Sequence, residues 1–229
     1  MRSEGNPSTG AESPILRTQG ENVLVFGRKG SGKTSLIRSY LARRSRVLVV
    51  DPFREYVDLA VEVSSLQDVA SYISQTPGKW KIAYHNHDLN RDFEPICRGL
   101  LAVGGNCTLI IEETDWYTTP RTMPAPLEEI VKYGRDTVSL VTICRNPSEL
   151  PILIRSQAWS INCFCLLERA HVEWVSAIVD PDFAEGINKL PPSFYHYQDL
   201  TNPGAKWERR QTDARFRSQK RTFIRSAGM

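Results

Sequence analysis

No stretch of the 229-residue chain approaches the roughly 18 to 20 uninterrupted apolar residues of a membrane-crossing helix. The opening segment, "MRSEGNPSTGAESP", has no apolar core of the kind a signal peptide carries. It reads as a flexible arm over residues 1–19. Cysteine is sparse: Cys97, Cys107, Cys144, Cys163 and Cys165 contain no C-x-x-C pair. An odd number without a framework speaks against a disulfide-stapled secreted domain and for reduced thiols in a cytosol. Metal-ligand spacing is also lacking. His85 and His87 in "HNH" stand at strand spacing, but no Cys or carboxylate follows at the usual distance, so a zinc site is not expected. There is no internal repeat and no low-complexity tract. What remains, 41% hydrophobic and 24% charged residues, is the composition of a globular protein of one domain.

The net charge of +3 is small, but its distribution is uneven. From Ala205 onward there are eight basic residues, among them Lys206, Arg209 and Arg210, against Glu208 and Asp213. That segment therefore carries +6 and the rest of the chain −3. A basic tail on a slightly acidic body suits contact with a polyanion, or it is a solubilising tail.

Between the ends, apolar β-branched runs alternate with helical patterns. "NVLVF" (22–26), "RVLVVD" (46–51), "WKIAYHN" (80–86), "CTLIIEE" (107–113), "TVSLVTICR" (137–145) and "AWSINCFCLL" (158–167) read as strands. Helices are expected over 32–44, 65–75, 94–105 and 125–134, the last two stopped by glycine. The fold class is α/β: a mainly parallel sheet, buried on both sides by helices. The domain is expected over 20–200, with a basic tail over 201–229.

The first strand runs into Gly27-Arg28-Lys29-Gly30-Ser31-Gly32-Lys33-Thr34, a full match to the Walker A pattern G-x-x-x-x-G-K-[ST] between a strand and a helix. Successive backbone N–H groups in such a loop point into one concavity, and the helix dipole adds to their pull on phosphate oxygens. ATP is thus expected on the loop residues and the adjoining Ser35. Lys33 supplies a charge to the β- and γ-phosphates, and the Thr34 hydroxyl is a Mg²⁺ ligand. A Mg–nucleotide enzyme also needs an acid near the metal and a group that orients water. "TLIIEE" ends in Glu112 and Glu113 at the carboxyl edge of a central strand, where ligands bind in such sheets. Glu112 is expected to hold the hydration shell of Mg²⁺ and Glu113 to polarise the water. Asp is the usual residue at the first position, so the division of labour between them stays open. Asp51, ending the second strand, either bonds the metal waters or organises the turn with Pro52.

Further segments narrow the class. "VLVVDPFREY" resembles the "hhhhDp.gEy" segment of the HerA/FtsK superfamily of DNA-pumping ATPases, and "GRDTVSLVTICRNPSELP" resembles its "GR..gv.lv..tQRPs.l" segment. "SQAWSINCFCLLE" is similar to the strand that follows, and "INKLPPSFYHY" to the closing hairpin. With the phosphate loop, these pieces stand in the family's order from Asn22 to Tyr197. The resemblance implies a RecA-like P-loop core. It places Arg145 at or next to a polar sensor of the γ-phosphate that is usually Gln, with Cys144 or Asn146 as alternatives in register. It matches Arg135 to an arginine that reaches a neighbouring subunit's nucleotide; the alternative is a cation at a helix C-terminus.

The extra N-terminal barrel, winged helix and membrane span of the larger members are not expected in these 229 residues. The compact layout looks like the genome-packaging ATPases of tailless, membrane-containing viruses and phages with double-jelly-roll capsids. The resemblance then implies an ATP-driven translocase of double-stranded DNA that works as a ring of identical subunits in the host cytoplasm, with a capsid vertex or membrane-associated viral protein as partner. DNA contacts would fall on the Thr118–Met123 loop, through Arg121, and on the tail, through Lys206, Arg209 and Arg210. Other readings are a plasmid, conjugation or HerA-like DNA-processing motor, and an ATP-binding assembly protein with little hydrolysis. A small-molecule kinase would need a lid of clustered arginines that the sequence does not supply.

Overall fold

The computed structural model describes residues 20–134, 137–187, 189–190, 194–199 and 208–211. Its strands are β1 (Asn22–Phe26), β2 (Arg46–Val50), β3 (Val61–Val63), β4 (Trp80–Tyr84), β5 (Cys107–Ile111), β6 (Val138–Cys144), β7 (Ser160–Cys163), β8 (Phe194–Asp199) and β9 (Glu208–Gln211). They form one sheet in the order β3-β4-β2-β5-β6-β1-β7-β8-β9. The first seven in that order run parallel, and β8 and β9 add an antiparallel edge. This is the expected mainly parallel α/β core.

The helices are α1 (Lys33–Arg43), α2 (Leu66–Gln75), α3 (Leu89–Val103), α4 (Ala125–Tyr133), α5 (Ile152–Ser156), α6 (Arg169–Ile178) and α7 (Pro181–Ile187). Side chains alternate across a strand, so each central strand feeds two cores. Leu24, Phe26, Leu48, Val50, Leu109 and Ile111 face the larger one, closed by α3 to α7. Val23, Val25, Val47, Val49 and Ile110 face the other, closed by Leu36, Ile37, Tyr40 and Leu41 of α1. Each such fully buried aliphatic side chain contributes roughly 1.5–3 kcal/mol. All five cysteines are buried within this framework. Among the described residues no helix is long and apolar enough to cross a membrane.

Several boundaries differ from the sequence reading, each for a local reason. The third helix was expected over 94–105. It starts at Leu89, where the Asp88 side chain accepts the Arg91 N–H, and it carries Pro95 inside. The strand expected to end at Glu113 stops at Ile111, because Glu113 turns into the left-handed region at φ 46°. The strand expected over 158–167 narrows to Ser160–Cys163; beyond it the chain follows the phosphate loop, with Phe164 N–H donating to Phe26 O (2.8 Å) and Arg28 N–H to Cys165 O (3.3 Å). The short strand β3 and helices α5, α6 and α7 were not foreseen. The sheet also continues past the expected domain end at residue 200, since β9 pairs with β8 from Tyr197↔Glu208 to Phe194↔Gln211. The arm over 1–19 and most of the tail lie outside the described residues.

Candidate nucleotide-binding site

The phosphate loop leaves β1 at Phe26 and enters α1 at Lys33. Its first glycine is required: a Cβ at Gly27 would lie 2.5 Å from Cβ of Phe164, and φ there is 152°. Gly32, which precedes the helix, is left-handed at φ 108°, and no side chain caps the N-terminus of α1. The first intrahelical bond runs from Leu36 N–H to Gly32 O (3.1 Å). The N–H groups of the first turn therefore have no intrahelical acceptor and are left for a ligand. Ser31 Oγ is buried in the same loop and has no hydrogen-bond partner. Arg28, Lys29 and Gly30 are exposed; Ser35 is half-buried.

Lys33 folds back over the loop, where its Nζ donates to Gly27 O (2.8 Å) and Arg28 O (3.2 Å). Burial pushes its ammonium below the usual range, and the carboxylates of Glu112 and Glu113 pull it back up. Thr34 lies one residue on. Its hydroxyl donates to Glu55 Oε2 at 2.6 Å.

Glu55 belongs to the turn after β2. Asp51 builds that turn, since its carboxylate accepts the N–H of Glu55 (2.9 Å) and of Tyr56 (3.0 Å). Burial raises Asp51 above the ordinary carboxylate range, against the lowering effect of those donors. Arg38, one turn beyond Thr34 on α1, donates to Glu55 O (2.9 Å) and forms a two-pronged ion pair with Asp58.

Tyr56 is fully buried and its hydroxyl donates a hydrogen bond to Glu112. Glu112 is 5% exposed, and burial pushes its carboxyl from 4.5 up to about 7, opposed by the Tyr56 hydrogen bond and by Lys33. Glu113, held in its left-handed turn, accepts Arg145 Nε (3.0 Å) and Nη2 (2.6 Å) on one oxygen. The three positions left open for the polar sensor lie in different surroundings. Arg145 reaches the acid. Cys144 is buried in β6, with its thiol pushed well above its usual range by burial, and the Asn146 side chain caps the next turn through Ser148 N–H (3.0 Å).

The parallel sheet thus gathers Lys33, Thr34, Asp51, Glu55, Glu112, Glu113 and Arg145 at one edge. The set suits a hard divalent cation beside phosphates: a hydroxyl and several carboxylates, with a buried and unpartnered Ser31 hydroxyl in the cradle. The Thr118–Met123 loop closes on itself through a Thr119–Thr122 bridge, and Arg121 stands exposed at its tip. Arg135 and Lys206 lie outside the described residues, and Arg209 and Arg210 lie in β9. His85 and His87 meet ring edge to ring face at 6.3 Å, and among the described residues no cluster of three or more His, Cys, Asp or Glu could hold a metal by itself. Glu55 and Tyr56 are the site residues that sequence reasoning passed over, although both stand in the segment "DPFREY" that it had singled out.

No family model matches the chain, and no curated protein is similar to it in sequence. Solved structures are similar in fold. The genome packaging NTPase B204 from Sulfolobus turreted icosahedral virus 2, in complex with AMPPCP, superposes with a TM-score of 0.68 at 19% identity, over 85% of this chain and 98% of that one. The pCW3 conjugation coupling protein TcpA with ATPgS gives a TM-score of 0.54 at 12% identity, over 86% of this chain and 61% of that one. The cytoplasmic domain of the Thermomonospora curvata Type VII secretion ATPase EccC gives 0.55 at 17% identity, over 85% of this chain and 24% of that one. The RecA-like P-loop fold is thereby established.

Proposed function

We propose that this protein is an ATPase that converts Mg²⁺–ATP hydrolysis into movement of double-stranded DNA, and that it packages a viral genome into a preformed capsid in the host cytoplasm. The observation that carries the reading is the likeness to the packaging NTPase B204 over 85% of this chain and 98% of that one. The site supports its chemical half. Lys33 and the open N–H groups of α1 bind the phosphates. Thr34, with a neighbouring carboxylate, holds Mg²⁺, which when bound offsets the phosphate charge. Glu113 acts as base toward the attacking water, and Arg145, bonded to it, senses the terminal phosphate. Arg135 acts in trans on the nucleotide of the next subunit in a ring. Arg121 and the basic tail, including Lys206, Arg209 and Arg210, bear on the DNA backbone, with a capsid vertex or membrane-associated viral protein as the docking partner.

The test is phosphate release with and without double-stranded DNA, alongside the oligomeric state in ATP. DNA should raise turnover several-fold, independently of sequence and less so as salt rises. Turnover that ignores DNA refutes the motor. The likeness to TcpA favours a second reading in the same class, a motor for conjugative DNA, and packaging of DNA into isolated capsids separates the two.

A further inference from the structure

We infer that the carboxylate completing the metal side of the phosphate loop is Glu55, on the turn after β2, and that Glu112, at the end of β5, is not. The inference rests on reading the loop as a Mg²⁺–ATP site. A hydroxyl that ligates a cation points an oxygen lone pair at the ion, so its proton must go to another acceptor. In this chain the acceptor for Thr34 is Glu55 Oε2, at 2.6 Å. That hydrogen bond sets a carboxylate one contact away from the ligating oxygen. In that position it can bond the metal's waters and offset the charge of the ion.

Glu112 is engaged elsewhere. It accepts the Tyr56 hydroxyl and is 5% exposed.

The position of Glu55 is built from both sides. Asp51 accepts its N–H at 2.9 Å, and Arg38 donates to its carbonyl at 2.9 Å. Arg38 follows Thr34 by four residues on α1, so two successive turns of one helix grip the same residue, one by side chain and one by backbone. The buried Ser31 hydroxyl in the adjoining loop, which has no partner, independently marks the cradle as a ligand site. The turn thus makes Glu55 a positioning residue for the ion, and Asp51 and Arg38 the residues that hold it there.

The experiment measures metal and nucleotide binding separately on the full chain. Mn²⁺ is titrated in the presence of a non-hydrolysable ATP analogue and followed by the loss of the free-ion EPR signal. Binding of a fluorescent ATP analogue in EDTA reports the nucleotide alone. Glu55→Gln keeps an acceptor for Thr34 but removes the charge. It should weaken Mn²⁺ binding about tenfold or more while leaving metal-free nucleotide binding within about threefold. Glu112→Gln should change Mn²⁺ binding by less than about threefold. Glu55→Asp, which keeps the charge, should recover part of the loss and serves as the second variant if Gln perturbs folding. Mn²⁺ binding by Glu55→Gln equal to that of the native chain overturns the inference, as does a larger loss in Glu112→Gln. A native chain that binds neither analogue nor Mn²⁺ instead overturns the Mg²⁺–ATP reading, and the inference with it.

Discussion

Glu112→Gln removes a charge from the interior but keeps the volume and an oxygen to which the Tyr56 hydroxyl can donate. The folded carboxyl titrates at about 7 and the unfolded one near 4.5. Between those values the native chain holds a proton that the unfolded chain has released, so stability falls as pH rises through that window and the loss is complete above it. Each pH unit is worth about 1.4 kcal/mol, which makes ionised Glu112 a cost of about 3 kcal/mol at pH 8. Gln has no proton to lose. The variant should match the native chain near pH 4.5 and exceed it by about 3 kcal/mol at pH 8. For a domain of this size that is a rise in Tm of roughly 6–12 °C. Asp51 and Asp115 are also raised by burial, but they titrate in both proteins and largely drop out of the difference. The assay is thermal melting of both chains at pH 5, 6, 7 and 8, without nucleotide or divalent ions. A gap that stays constant across that range, or a variant that is the less stable at pH 8, refutes the reasoning.

Three other outcomes follow from the geometry. Gly27→Ala places a Cβ 2.5 Å from that of Phe164, so the loop must shift; nucleotide binding measured by fluorescence titration should be lost, with a stability cost of about 1–3 kcal/mol in melts. Glu113→Gln should bind nucleotide within about threefold of the native chain yet release phosphate at least about 100-fold more slowly, and unchanged turnover would remove Glu113 as the base. Tyr56→Phe takes away the donor that favours ionised Glu112. It should cost about 1–3 kcal/mol at pH 8 and less at pH 5, where the carboxyl is protonated; an equal loss at both pH values argues against that bond.

The strands and the loop were legible because their signals are local. "VLVV", "TLII" and "VSLVTIC" are apolar on both faces, and only a sheet covered on both sides buries such runs. Walker A carries its own φ requirements, which Gly27 and Gly32 meet. Helices α5 to α7 were less legible: α5 and α7 span five and seven residues, too few to show a helical period. The acidic side of the site was half legible. Glu112 and Glu113 announce themselves by ending a buried run. The pairings that set their roles do not, because Tyr56–Glu112 and Arg145–Glu113 join residues 56 and 32 positions apart. Nor could spacing alone assign Thr34 to Glu55, since that bond depends on where the Asp51 turn sets the backbone.

The buried cysteines have a practical consequence. A thiol reacts with a maleimide only as an accessible thiolate. Here every native thiol is enclosed, and burial lifts Cys97 to about 12, Cys107 to about 11, and Cys144 and Cys163 well above the ordinary range. The native chain is therefore a silent background for labelling. One cysteine introduced at exposed Arg121, or at Lys29 on the phosphate loop, becomes the single reactive handle without removal of any native residue. A dye or spin label there reports on the surroundings of that loop in an otherwise unaltered core.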